Sequence, residues 1–261
     1  MPVEASRRPE HRLYLQLSKQ HVTVLHVRNA GRTGNYFQTS VQGRTEEEQR
    51  LSALLTGLSS IPFHTRVYVH TNVPALRDLL RQPIREWPRP VRELLDRKSL
   101  QLRPGQFNLL DDFWKDLLSQ EEGHLLPRMD GLNNFHLHTY AVTDGLQTHA
   151  SGLLYGEGEL HLYDKRSPGE LLSQAELDVA AWALDLVAPS KTIELRHQHP
   201  KTQRFWEETD AYLQDHPGVK GMANRIGKLV EQKQLRFNVP ASRQDDALAR
   251  AVRWYTGRSL A

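Results

Sequence analysis

The chain has 261 residues, 38% of them hydrophobic and 25% charged, which is long enough for one large or two ordinary domains and rules against a disordered or fibrous protein. Lys and Arg number 34 against 31 Asp and Glu, so a net charge of +3 permits nucleic acid as a partner without demanding it. With no cysteine, disulfides, Cys-ligated zinc, iron–sulfur clusters and thiol nucleophiles are excluded, and any metal must sit on oxygen or imidazole.

The opening MPVEASRRPEH lacks the apolar core of a signal peptide, and no window approaches the 18 or so apolar residues of a membrane span. The expected compartment is cytoplasmic, with no membrane partner. From Arg12 to Val41, RLYLQLS, HVTVLHV and NYFQTSV alternate apolar and polar residues and predict a three-stranded antiparallel meander. Thr45 and Glu48 form a capping-box pattern ahead of an amphipathic helix carrying Leu51, Leu54, Leu55 and Leu58. TRVYVHT predicts a strand. Helices are expected from Pro74 and Pro90, a strand at Leu100 to Arg103, and a closing helix from near Phe107.

From Phe135 the order repeats. FHLHTYAV, HASGLLY and ELHLYD read as three strands, and Ser173 with Glu176 repeats the capping-box pattern 128 residues after Thr45 and Glu48. Ile193 and Pro200 repeat Val67 and Pro74 at a spacing of 126, and the Asp245-Asp246 pair follows Asp111-Asp112 by 134. A tandem duplication with a period near 130 is expected, with domains at 1–128 and 129–261.

Three antiparallel strands, a helix, a parallel strand, further helices, a fifth strand and a closing helix is the order of the ribonuclease H fold. VTDG at Val142 to Gly145, SQAELDVAAWALDLV at Ser173 to Val187 and NVPASRQDDALARAV at Asn238 to Val252 resemble that family. The resemblance implies an α/β fold of two tandem ribonuclease H-like domains, each a five-stranded mixed sheet flanked by helices. It further implies hydrolysis of RNA in RNA–DNA hybrids by two Mg2+ or Mn2+ ions held on clustered carboxylates, since hard divalent ions prefer oxygen ligands.

On that resemblance Asp144 matches the first-strand Asp, Glu176 the helix Glu and Asp246 the final-helix Asp, as metal ligands and catalytic groups. The fourth place holds His197 or Gln198 instead of Asp, and a neutral imidazole supplies none of the negative charge that holds magnesium. Each carboxylate also has a plainer reading. Asp144-Gly145 between alternating runs is a hairpin turn, Glu176 is the third residue of a capping box, and Asp246 opens a helix. The N-terminal copy keeps Glu48 and Asp111-Asp112 but has only Ser18, Lys19 and Gln20 for the first-strand Asp and Asn72 at the fourth strand, so only the C-terminal copy is a catalytic candidate.

The pairs His136/His138 and His197/His199 lie at strand spacing and each suits a metal or proton-transfer site. For nucleic acid, Lys220, Asn224, Arg225 and Lys228, with Lys233 and Arg236 beyond, fall where the resembling family presents a basic helix to the hybrid. A second basic group, Arg85, Arg89, Arg92 and Arg97, surrounds Trp87. Two functions follow: a magnesium-dependent ribonuclease H-type endonuclease, or a catalytically inactive tandem scaffold that binds nucleic acid. No phosphate-binding glycine loop, zincin spacing or nucleophile elbow is present.

Overall fold

The computed structural model describes residues 8–18, 21–105, 108–119, 134–240 and 247–259. The chain divides into two compact units, Met1–Pro127 and Arg128–Ala261. In unit 1 the strands β1 (Glu10–Leu17), β2 (His21–Arg28) and β3 (Thr33–Ser40) form the antiparallel meander, and β4 (Arg66–Thr71) and β5 (Gln101–Pro104) run parallel to β1. The strand order is β3-β2-β1-β4-β5. Helix α1 (Glu46–Ser59) follows β3, α2 (Pro74–Leu79) and α3 (Arg89–Lys98) follow β4, and α4 (Leu109–Ser119) follows β5.

Alternation decides the layers. Leu13, Leu15, Val22 and Val24 face Ala53, Leu54 and Leu58 of α1 in one core, while Tyr14 between them turns to the opposite face. Thr45 caps α1 as expected, its hydroxyl accepting from Glu48 N while Glu48 accepts from Thr45 N. Gly57 lets the helix sit down on the sheet, because a Cβ there would come within 2.5 Å of a Leu15 methyl.

Unit 2 repeats the plan. Strands β6 (Asn134–Thr143), β7 (Gln147–Gly156) and β8 (Glu159–Pro168) make the meander, α5 (Leu172–Leu186) follows, and β9 (Thr192–Arg196) runs parallel to β6. Helices α6 (Pro200–Glu207), α7 (Thr209–Asp215) and α8 (Lys220–Lys233) lead to β10 (Arg236–Asn238), parallel to β9, and α9 (Ala247–Arg258) closes the described chain. The order is β8-β7-β6-β9-β10.

Hydrogen bonds fix which residues of the two units correspond. The Lys98 ammonium donates to the carbonyls of Leu58, Ser59 and Ile61 at the end of α1, and the Lys233 ammonium donates to those of Leu184, Asp185 and Val187 at the end of α5. His64 N donates to Lys98 O and Ser190 N to Lys233 O, each from a residue with positive φ. These pairs place α1 and α5 at an offset of 126. The capping-box pattern recurs at 128, so Glu176 corresponds to Arg50 and not to Glu48.

The Ser173 box is accordingly not a cap. Helix α5 starts from Leu171 without a side-chain cap, and buried Ser173 accepts a hydrogen bond from Tyr212 instead. Packing follows the 126 offset too. Val179 lies against Gly152 in unit 2, where a Cβ would come within 2.2 Å of it; the corresponding pair in unit 1 is Ala53 with Val24. Bulk on the helix is traded for bulk on the strand, as close packing requires. Among the described residues, no helix is long and apolar enough to cross a membrane.

Candidate functional site

The parallel pairing of β6 with β9 brings Thr139 of β6 beside His197, the residue after β9, with 2.8 Å between Thr139 Oγ1 and His197 Nδ1. Thr139 follows Phe135 and Leu137 on the strand face that packs against α5, and Glu176 of α5 is fully buried there. Glu176 accepts hydrogen bonds from Gln198 N at 3.1 Å, His199 N at 3.2 Å and the Thr202 hydroxyl at 2.6 Å, and the Thr139 hydroxyl also reaches it. Its carboxylate therefore holds the start of α6, where unpaired N–H groups and the helix dipole favour negative charge.

The proton positions in this network follow from a donor that cannot accept. Trp206 Nε1–H donates to His197 Nε2 at 2.8 Å, so the neutral ring carries its proton on Nδ1 and donates it to Thr139 Oγ1. The Thr139 hydroxyl is then free to donate to Glu176. Burial holds His197 down to about 3, so the ring is neutral through the physiological range. Burial also pushes Glu176 up to about 7, against the pull of its hydrogen-bond donors.

Of the sequence-predicted residues, the structure joins Glu176 and His197 and leaves Asp144 elsewhere. Asp144 lies in the turn between β6 and β7, fully exposed, with Oδ1 accepting from Leu146 N at 2.9 Å and Gln147 N at 2.8 Å. Those bonds hold its carboxyl below the usual range. Thr139, five residues earlier, is the β6 residue next to Glu176. Asp246 lies outside the described residues.

The donor set does not suit a divalent ion. One carboxylate is committed to the α6 turn, the acceptor nitrogen of the imidazole is taken by Trp206, and Arg253 of α9 donates to Gln198 Oε1 at 3.2 Å, placing a cation beside the site. Among the described residues no three His, Asp or Glu side chains are grouped to hold a metal. The other sequence-predicted histidines are also engaged. His136 and His138 stack on Tyr155, and His199 caps α6 through Nδ1, which accepts from Lys201 N.

The matching positions of unit 1 carry different residues. Arg50 replaces Glu176 and Leu15 replaces Thr139. On the opposite face, fully buried Asp111 accepts from Tyr14, from Asn108 at 2.7 Å and from Arg12 at 2.8 Å. His70, stacked on Tyr14, is pushed down to about 4 by burial.

Sequence reasoning missed Thr139, Thr202 and Trp206. The signal for Thr139 was a polar residue in phase with Phe135 and Leu137. Of the expected nucleic-acid contacts, Lys220, Asn224, Arg225 and Lys228 are exposed on α8, whereas Lys233 is spent on the α5 carbonyls. Trp87 is buried and donates to Gln82 O, so it offers no stacking surface.

Within each unit, three antiparallel strands and two parallel ones in the order 3-2-1-4-5, with a helix after the third, fourth and fifth, decide the architecture. This is the order of elements that the sequence resemblance to the ribonuclease H fold implies. No family model and no curated protein matches the chain. Among solved structures, ribonuclease H1 of Halobacterium salinarum is 16% identical over 49% of this chain and 97% of its own, with a TM-score of 0.39. A ribonuclease H1 isolated from compost by a metagenomic approach is 17% identical over 50% of this chain and all of its own, with a TM-score of 0.39. The foamy viral protease-reverse transcriptase, solved with an RNA/DNA hybrid, is 12% identical over 89% of this chain and 36% of its own, with a TM-score of 0.30.

Proposed function

We propose that this is a cytoplasmic nucleic-acid-binding protein of two ribonuclease H-like units derived by tandem duplication, without metal-dependent phosphodiester hydrolysis. The observation that carries the loss of hydrolysis is the state of Glu176. At the place where the resembling family's helix carboxylate would hold a metal ion, this carboxylate is buried and committed to hydrogen bonds that build the β9–α6 junction. Removing it from that role to bind magnesium would leave buried donors unpaired, at about 1–3 kcal/mol each.

The duplication is supported by the paired lysine clamps and by the Gly152–Val179 and Val24–Ala53 exchange. Nucleic-acid binding is supported by Lys220, Arg225 and Lys228 on the solvent face of α8, flanking Asn224, where mobile cations meet phosphates without desolvation of buried charge. The test uses a labelled RNA–DNA hybrid, each single strand and duplex DNA, in Mg2+ and then Mn2+. Binding without cutting is expected. Metal-dependent cutting lost in Asp144→Asn or Asp246→Asn would instead establish the endonuclease, and failure to bind any of the four would remove the nucleic-acid reading.

A further inference from the structure

One corner of unit 1 carries a pair of imidazoles where unit 2 carries hydrocarbon. His11 of β1 and His26 of β2 lie on the sheet face that packs against α1, in phase with Leu13 and Leu15 on one strand and Val22 and Val24 on the other. Both are buried, and His11 Nδ1 lies 2.5 Å from His26 Nε2 with the rings stacked. The strand registers carry His11 onto Phe135 and His26 onto Leu154, both members of the unit 2 core. Unit 2 builds the same corner from a phenyl ring and a leucine, so the fold itself calls for no imidazole there.

Two neutral rings can share one hydrogen bond, an N–H of one donating to the lone pair of the other. With both rings charged, each facing nitrogen carries a hydrogen and the bond is lost. The charges that act on the pair oppose protonation as well. Arg28 of β2 acts on both rings, and Lys98 of α3, whose ammonium clamps the end of α1, acts on His26. Val67 of β4 beside His11 is uncharged, and the last turn of α1 holds no charged residue. Glu10 and Arg12 of β1 turn to the other face, where they pair with Arg66 and Asp111. His64, before β4, and Asp96 and Arg97 of α3 are exposed. Among the described residues no carboxylate pairs with either ring.

We propose that His11 and His26 form an acid-sensitive latch. With the rings neutral it closes the corner where β1, β2 and α3 meet, and with both charged it opens that corner. Burial pushes His26 down from 6.5 to about 4, with His11, Arg28 and Lys98 adding to the effect, and burial and Arg28 lower His11. Lowered values give the sign: the latch stabilises unit 1 fully above pH 6.5 and loses that contribution as pH falls toward 4. For His26 alone the closing equilibrium weakens about twentyfold between pH 7 and pH 5.

The full chain, labelled with 15N, is followed from pH 7 to pH 5 by histidine ring shifts and by amide hydrogen exchange corrected for the intrinsic rate. Two double variants serve as comparison. His11→Phe/His26→Leu installs the unit 2 residues, and His11→Asn/His26→Gln keeps a hydrogen bond that takes up no proton. Over this range the β1 and β2 amides of the wild type are expected to lose about twentyfold more protection than those of either variant. His70 lies on the other face and contributes alike in all three proteins. The Asn/Gln variant carries the comparison by itself if the Phe/Leu exchange misfolds. Equal losses in wild type and variants, or a His26 ring that titrates at or above 6.5, would overturn the latch.

Discussion

Glu176 and His197 share a hydroxyl but respond to pH in opposite senses. Burial raises the Glu176 carboxyl from 4.5 to about 7, so the folded state favours its protonated form. That stabilisation is fully present below pH 4.5 and is lost as pH rises through 7. Burial lowers His197 from 6.5 to about 3, so its contribution is present above pH 6.5 and is lost as pH falls toward 3. The two partly cancel in the whole protein, and a variant is needed to separate them. Glu176→Gln keeps the shape and removes the ionisation. Urea unfolding at pH 5 and pH 8 is expected to show the variant gaining roughly 2–3 kcal/mol on wild type between those values. Parallel behaviour of the two proteins would mean that Glu176 is already charged at pH 5 in the folded state.

At the scale of elements, the lysine clamps do what a capping residue does at the other end of a helix. Three ammonium hydrogens meet three carbonyls that end α1, and three meet those that end α5. The residue after each lysine, Ser99 and Gln234, adopts a left-handed φ of 53° and 51° that turns the chain into the next strand. Lys98→Met and Lys233→Met keep most of the aliphatic stem and remove the donors. Each is expected to lower the stability of the intact chain by about 1.5–3 kcal/mol in chemical denaturation, the scale for hydrogen bonds to a charged group. A loss below about 0.5 kcal/mol would place the lysines among ordinary surface charges.

At the scale of the whole molecule, a small net charge of +3 leaves nucleic-acid affinity to the local arrangement of cations and not to the overall field. If α8 supplies the contacts, each of Lys220, Arg225 and Lys228 neutralises about one phosphate. Replacing all three by Gln is then expected to reduce the slope of log K against log salt by roughly 2.7 on duplex DNA, at about 0.9 per contact. An unchanged slope measured by fluorescence anisotropy would move the interface off α8.

The order of elements was legible in the amino-acid sequence because strand alternation, the Thr45 cap and the prolines opening α2 and α6 are local signals, written in residues a few positions apart. The unit 1 helix boundary near Thr45 and the hairpin reading of Asp144 depended on nothing farther away. Ser173 and Glu176 showed the limit of such signals. The same spacing of hydroxyl and carboxylate that caps α1 was present, yet Tyr212 takes the hydroxyl from 39 residues away and the β9–α6 junction takes the carboxylate from 22. The sequence by itself determined which segments become strands and helices, since that choice is made by periodicity and caps. Only the tertiary structure decided what the polar residues do. A buried carboxylate is committed by whichever donors the fold brings to it, and strand register and helix offset, not spacing along the chain, set which donors those are.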